Sequence, residues 1–388
     1  MPLASLAAAV GGEMQGKGAG EKEALPTTSK IFLEGREIKF TAYNIGGNNY
    51  FKLRDIGQAF DFGVGWDDAT RVITIDTSKG YTYESIAINE TNFSDPVFRA
   101  YVAGPEIDLN QDGILSVDEI EEVKVLDLSK MDITSLQGIE FFTALVTLDC
   151  ADNLFVALDV SKNINLYWLN CGGNQLTALD ISKNINLETL ACFNNQLTVL
   201  DISKNINLEL LDCCSVQLAA LDVNNNINLV ILKCDGNQLR ALDVSKNMNL
   251  KWLFCQSNQL TALDVSKNIN LERLGCSNNQ LTVLDVSKSI SLKTLWCSGN
   301  QMTVLDVSRN INLEWLHCNS NQLTTLDVSK NINLVKLECS SNQLRALDVS
   351  KNINLEMLDC TYNKMASEAA VVGLGKSVTI DFKFEPQK

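Results

Sequence analysis

Residues 108–119, DLNQDGILSVDE, set oxygen-bearing side chains at alternate places: Asp108, Asn110, Asp112 and Ser116, with Glu119 ending the run. Donors two residues apart in a tight loop converge on one point. Gly113 permits the sharp turn, Ile114 offers its carbonyl, and Glu119 can close the site with two oxygens. This chemistry suits a hard cation held by oxygens alone, and Ca2+ is the natural ion, in a structural role. Cysteines form the second reactive set. Eleven of the twelve, at 150, 171, 192, 213, 234, 255, 276, 297, 318, 339 and 360, recur every 21 residues, and Cys214 alone lies outside the series. The single histidine, His317, excludes a catalytic histidine pair, an HExxH motif and a histidine-based zinc or copper site. Carboxylates are scattered without a convergent nucleophile and base, so no enzyme is expected.

The elements that must position these residues follow from the same interval. Leucine keeps the register of the cysteines from Leu145 to Leu355, so ten complete units run from Leu145 to Asn354. One unit, LYWLNCGGNQLTALDISKNIN, holds two similar halves. Period-2 spacing of Leu169 and Cys171, or of Leu179 and Ile181, sends both side chains to one face of a short strand, which only stacking on neighbouring coils can bury. Asparagine three places after the cysteine (Asn153, Asn174, Asn195 and Asn237) sits where the strand must turn, and its amide can bond the backbone of the next coil. The expected fold is mainly β: a parallel-stacked solenoid with a short capping helix, preceded by a small α+β module. Strands about 4.8 Å apart hold cysteine Cβ atoms further from one another than the roughly 3.8 Å a disulfide prefers. The ladder cysteines are therefore expected to be buried free thiols, and Cys214 an outward one. Val216, Cys214 and Asn224–Asn225 depart from the pattern, which predicts local irregularity and no break.

The chain has 388 residues, with 32 Lys and Arg against 47 Asp and Glu, a net charge of -15. That field repels phosphate backbones and anionic membranes, so nucleic acid is excluded as a partner. No stretch reaches the roughly 18 to 20 apolar residues of a membrane span, and no membrane insertion is expected. Residues 2–10, PLASLAAAV, look like the tail of a secretory signal with an A-x-A possibility at Ala7 and Ala9, although a positively charged n-region is missing. Residues 1–29 read as signal remnant and linker.

Residues 126–365 resemble the 21-residue bacterial class of leucine-rich repeats in which LxxLxCxxNxLxxLDLxxN recurs, a relative of the internalin-type surface repeats. The run at 108–119 matches the EF-hand loop, and residues 93–125 resemble the N-terminal cap that precedes such repeats. Residues 366–388, ending in VTIDFKF, should close the stack as a C-terminal cap. Within residues 30–86, NNYFKLRDIGQAF followed by VGWDDATRVITI resembles the copper amine oxidase N-terminal-like, or stalk, domain. Its expected elements are strands in REIKFTAY and RVITIDT, a turn at the GG and a helix over KLRDIGQAF. Copper in the oxidase family is held by histidines, which this module lacks. These resemblances imply an extracellular or cell-surface binding protein.

Between units the framework barely changes, while the two outward positions of the cysteine strand change at every step. Variation on a fixed scaffold marks a reading surface. The candidate ligand-binding residues are Trp168, Asn170, Leu210, Ile231, Trp252, Phe254, Arg273, Trp296, Trp315 and His317. Aromatics in such rows are typical of interface anchors and of sugar-stacking platforms, so a protein or a carbohydrate ligand is expected. In the second half, one Asp per unit from Asp159 to Asp348 forms a column whose repulsion is offset in part by Lys or Arg three residues later. The function expected is adhesion or recognition by a monomer, the alternative being a structural spacer of a cell-surface layer without a specific ligand.

Overall fold

The computed structural model describes seven strands between residues 25 and 76, residues 85–374 and residues 381–387. The chain divides into two compact units, residues 1–84 and 85–388. In the first, β1 (Leu25–Pro26), β4 (Ala42–Ile45) and β5 (Asn48–Phe51) form one antiparallel sheet. β2 (Ile31–Leu33) pairs with β3 (Arg36–Ile38), and β6 (Gly63–Asp67) with β7 (Val72–Asp76). The expected strands in REIKFTAY and RVITIDT are present; the signal segment and the helix over KLRDIGQAF lie outside the described residues.

The second unit is a parallel β solenoid, as the repeat predicts. It opens with β8 (Ile86–Ala87), α1 (Pro96–Val102), β9 (Ile114–Leu115) and α2 (Val117–Glu122). Thirteen strands then build one sheet. These are β10 (Val125–Asp127), β11 (Thr147–Asp149), β12 (Trp168–Asn170), β13 (Thr189–Ala191), β14 (Leu210–Asp212), β15 (Ile231–Lys233), β16 (Trp252–Phe254), β17 (Arg273–Gly275), β18 (Thr294–Trp296), β19 (Trp315–His317), β20 (Lys336–Glu338), β22 (Met357–Asp359) and β24 (Asp381–Lys383). β21 (Leu347–Asp348) pairs separately with β23 (Val371–Val372). Each leucine at a strand centre, from Leu148 to Leu358, is fully buried, as is the cysteine two places on. A fully buried side chain of this kind is worth about 1.5–3 kcal/mol. No coil could collect that alone, because its apolar side is covered only by its neighbours.

Asparagine secures the turn, as expected. Asn258 Nδ2 donates to the carbonyls of Cys234 (3.0 Å), Cys255 (3.1 Å) and Gln256 (3.1 Å), while its Oδ1 accepts from Leu239 N (3.0 Å). A second ladder, unforeseen, runs through the other half. Asn268 Nδ2 donates to Val244 O (3.0 Å) and Asn247 O (2.8 Å), and its Oδ1 is buried without a partner. At Val216 the strands stay in register. Irregularity is confined to the backbone: Ser215 (φ 55°) and Gln217 (φ 72°) both enter the left-handed region, where the neighbouring coils use one residue each.

One expectation is corrected. The second halves, such as Leu179–Ile181, do not form a second column of strands; only β21 does. The aspartates hold a turn here. Asp180 Oδ1 accepts the N–H of Ser182 (2.9 Å), and the same bond recurs at Asp264 and Ser266 (2.8 Å). It also forms beside strands of the continuous sheet, where Asp149 Oδ1 accepts Ala151 N (3.0 Å) and Asp127 Oδ1 accepts Ser129 N (3.1 Å), so it shapes the turn without deciding the pairing. Coils meet there through isolated backbone bonds such as Gln259 N to Leu239 O (2.9 Å).

The ends are closed by packing. Phe93 contacts Phe98 and Phe141 edge-on, with both centroids at 5.7 Å, over the first coil. Asp95 caps α1 by accepting Val97 N (2.8 Å) and Phe98 N (3.0 Å). Its other oxygen accepts Thr134 N (2.8 Å) and Thr134 Oγ1 (2.7 Å), which ties the cap to the repeats. At the far end β24 pairs with β22 and places Phe384 in the core.

Candidate functional site

Because the central leucine of each strand points inward, its two neighbours must point outward, and register sets them in two straight columns. The structure places all ten candidate residues there. Arg273 and Trp315 (44% exposed) are open, and the other eight are half-buried against one another. They do not make one cluster. Trp168 and Asn170 stand four strands from Trp252, with Asn170 Nδ2 donating to Asp149 Oδ2 (3.3 Å). Leu210 pairs with Ile231 in the interval, beside a Lys233–Asp212 ion pair at 3.1 Å.

From β16 to β20 the residues converge. The Arg273 guanidinium lies 4.5 Å over the Trp252 ring, a cation–π contact. Phe254 and Trp296, two strands apart, stack with centroids 5.8 Å apart and planes at 25°. They reach each other across Gly275, where an added Cβ would stand 2.8 Å from Phe254. His317 follows Trp296 at 6.1 Å. Its Nδ1 is 3.8 Å from Glu338 Oε2, and Glu338 also meets Lys336 Nζ (3.4 Å) and accepts from Asn319 Nδ2 (3.1 Å). Burial pushes the His317 pKa below its ordinary value, with Glu338 opposing in part. Trp296 Nε1 and His317 Nε2 are both buried and make no hydrogen bond. The face therefore offers flat rings and one guanidinium on a rigid sheet. Sequence reasoning missed Phe193, whose ring lies across Gly172 just as Phe254 lies across Gly275. A glycine one coil away from a phenylalanine was the available signal.

The thiols offer no reactivity. The ladder cysteines are buried and free, and Sγ of Cys255 donates to Gly275 O at 3.4 Å. Burial pushes the Cys171 pKa up to about 12. Cys214, expected to point outward, is half-buried with its Sγ 3.5 Å from Asp235 Oδ2. Burial and the carboxylates of Asp212 and Asp235 push its pKa up, away from the reactive thiolate. Along the aspartate column the carboxyl of Asp264 is held below its ordinary range by the backbone and side chain of Ser266, with Lys267 adding a smaller effect.

In the loop at 108–119, Asp108 Oδ2 accepts Gly113 N (3.0 Å), Asn110 Oδ1 accepts Asp112 N (2.9 Å) and Asp112 Oδ1 accepts Ile114 N (2.9 Å). Gly113 adopts φ 79°, as the turn requires. Ser116 and Glu119 form a capping box on α2, and Glu119 Oε1 reaches back to Leu109 N (2.9 Å). Burial opposes the charge of Glu119, yet these bonds from Ser116, Asn110 and Leu109 hold its pKa below the usual range. β9 pairs with β8, so Ile114 lies beside Ala87. Among the described residues no three His, Cys, Asp or Glu side chains form a ready metal cluster. The loop nevertheless fits a cation at one atom: Asp108 is 1% exposed and its Oδ1 has no partner.

No protein-family model matches the chain, and no curated protein matches it. Solved structures do. The functional domain of InlJ from Listeria monocytogenes, which includes a cysteine ladder, is 29% identical over 79% of this chain and 82% of that one, with a TM-score of 0.50. A leucine-rich-repeat protein of Leptospira interrogans is 26% identical over 60% and 70%, with a TM-score of 0.52. The internalin InlF of Listeria monocytogenes is 19% identical over 77% and 97%, with a TM-score of 0.62. The fold is thus a leucine-rich-repeat solenoid, similar to the internalins and carrying a cysteine ladder. No helix among the described residues is long and apolar enough to cross a membrane.

Proposed function

We propose that this solenoid is the binding module of a secreted or surface-exposed bacterial protein and recognises a partner protein through the outward face of its cysteine strands. The observation that carries the reading is the convergence of Trp252, Arg273, Phe254, Trp296, Trp315 and His317 on β16 to β19. Tryptophan supplies a large rigid contact area, and tryptophan and arginine are enriched among the residues that dominate the energetics of protein interfaces. The likeness to bacterial repeat proteins supports the location, and the absence of a convergent nucleophile and base supports binding over catalysis. The test is a protein and glycan array probed with the full chain and with a Trp252→Ala, Trp296→Ala, Trp315→Ala variant. The expected result is a protein ligand whose signal falls at least about tenfold in the variant. Signal on glycans alone would transfer the site to carbohydrate, and an unchanged variant would favour a spacer.

We also infer that residues 108–119 hold a structural Ca2+, through Asp108, Asn110, Asp112, the Ile114 carbonyl, Ser116 and Glu119. The buried, unpartnered Oδ1 of Asp108 supports this. When bound, the ion supplies positive charge where that oxygen has none, and it joins β9 to α2. Thermal unfolding in a calcium titration should show a rising midpoint that Asp108→Asn abolishes; a midpoint that does not move removes the ion.

A further inference from the structure

From Ile164 to Ile353 one aliphatic side chain per coil stands in line on the turn that leads into the cysteine strand. It is isoleucine in every coil but that of Met248, and each is between 52% and 76% exposed. On one side of each lies a buried ladder residue such as Asn184, whose Nδ2 donates to Val160 O and Asn163 O at 2.9 Å. On the other lies an asparagine such as Asn186, whose Nδ2 donates to Ile164 O at 3.2 Å. These amides hold the turn, and the isoleucine between them leaves half or more of its surface open to solvent. Ten exposed aliphatic residues in one row form a contiguous apolar patch, which soluble proteins keep where something covers it.

The occupant follows from the regularity. The candidate binding face changes at every coil, whereas this row repeats one residue at one strand spacing, about 4.8 Å. A folded partner of another kind has no such period. A second copy of this chain has the same one over the same ten coils. The row exposes on the order of 1,000 Å2, comparable to the roughly 800 Å2 that each partner gives to a stable interface. A two-fold axis along the row would bring the flank of each copy that carries Lys162, Lys183 and their repeats toward the flank of the other, where Glu188, Glu209, Glu272, Glu314 and Glu356 share a column with Lys251 and Lys293.

We propose that two copies associate side by side through the isoleucine row, in place of the monomer expected from sequence. Sedimentation velocity on the full chain under reducing conditions tests this. A reversible dimer is expected, and Ile206→Lys, Ile227→Lys, Ile269→Lys should weaken it on the order of 100-fold. The Trp252→Ala, Trp296→Ala, Trp315→Ala variant should still dimerise, which separates this interface from the ligand-binding face. Should the lysine variant not fold by circular dichroism, threonine at the same three positions keeps the branched shape and replaces it in the comparison. A wild type that stays monomeric up to about 1 mM, or a folded isoleucine variant that dimerises as the wild type does, overturns the proposal.

Discussion

The cysteine stretch and the aspartate stretch of each coil share their leucine spacing, yet only the first joins a continuous sheet. The difference lies in the backbone pairing. In the cysteine stretch the cysteine N–H donates to the next coil, as in Cys255 N to Gly275 O (2.8 Å). In the aspartate stretch the carboxylate accepts the serine N–H and the chain turns, and among the described residues at the position that matches cysteine Val349 N alone donates to a neighbouring stretch, at Val372 O (2.8 Å). Similar hydrophobic patterns therefore yield a rigid recognition surface on one side and a bent, solvated one on the other.

The sharpest way to break this comparison is to cut one leucine from each side of the same coil. Leu253→Ala, at the centre of β16, is expected to cost about 4 kcal/mol in urea unfolding, and Leu263→Ala, in the aspartate stretch, nearer 2.5 kcal/mol. The sheet collapses less readily around a cavity because both neighbouring strands hold it; equal losses would mean that the two sides are equally rigid. A smaller difference should separate the two amide ladders. Asn258→Ala removes three donated bonds and one accepted, and Asn268→Ala removes two donated bonds alone. Losses of about 3 and about 2 kcal/mol follow, with amide exchange locating each to its own coil.

The smallest effect is that of pH. In folded protein His317 lies below its ordinary 6.5 because burial disfavours the imidazolium. The unfolded chain therefore binds that proton first, and stability falls as pH drops through 6.5 toward the lower folded value, below which the loss is complete. Asp264 also lies below its ordinary 3.8. Its contribution is present above 3.8 and is lost as pH falls through the lower folded value. Between pH 7 and about 5, subtracting the unfolding profile of His317→Gln from that of wild type should leave a response from the cysteine face alone. Superimposable profiles would show that the imidazole is not buried as the structure places it.

Much of this was legible before any coordinates. A 21-residue recurrence of leucine and cysteine can be buried only by stacking, so the solenoid, its register, the inward thiols and the asparagine that follows every ladder cysteine but Cys213 all follow from spacing. Asn163 and its repeats carried the same signal and went unread, because asparagine beside lysine and serine resembles a solvated turn. Asp95 was invisible for another reason. Its partner Thr134 is 39 residues away, and nothing in either residue's neighbourhood announces a bond.

What the sequence by itself determined is which side chains must face inward, since apolar burial depends on period and not on distant partners. What only the tertiary structure decided is how the outward ones settle. Phe254 reaches Trp296 because Gly275, one coil between them, leaves the space, and the half-buried His317 lies beside Trp296 with ring centroids 6.1 Å apart. These contacts join residues 21 and 42 places apart, and their geometry exists only once neighbouring coils have stacked.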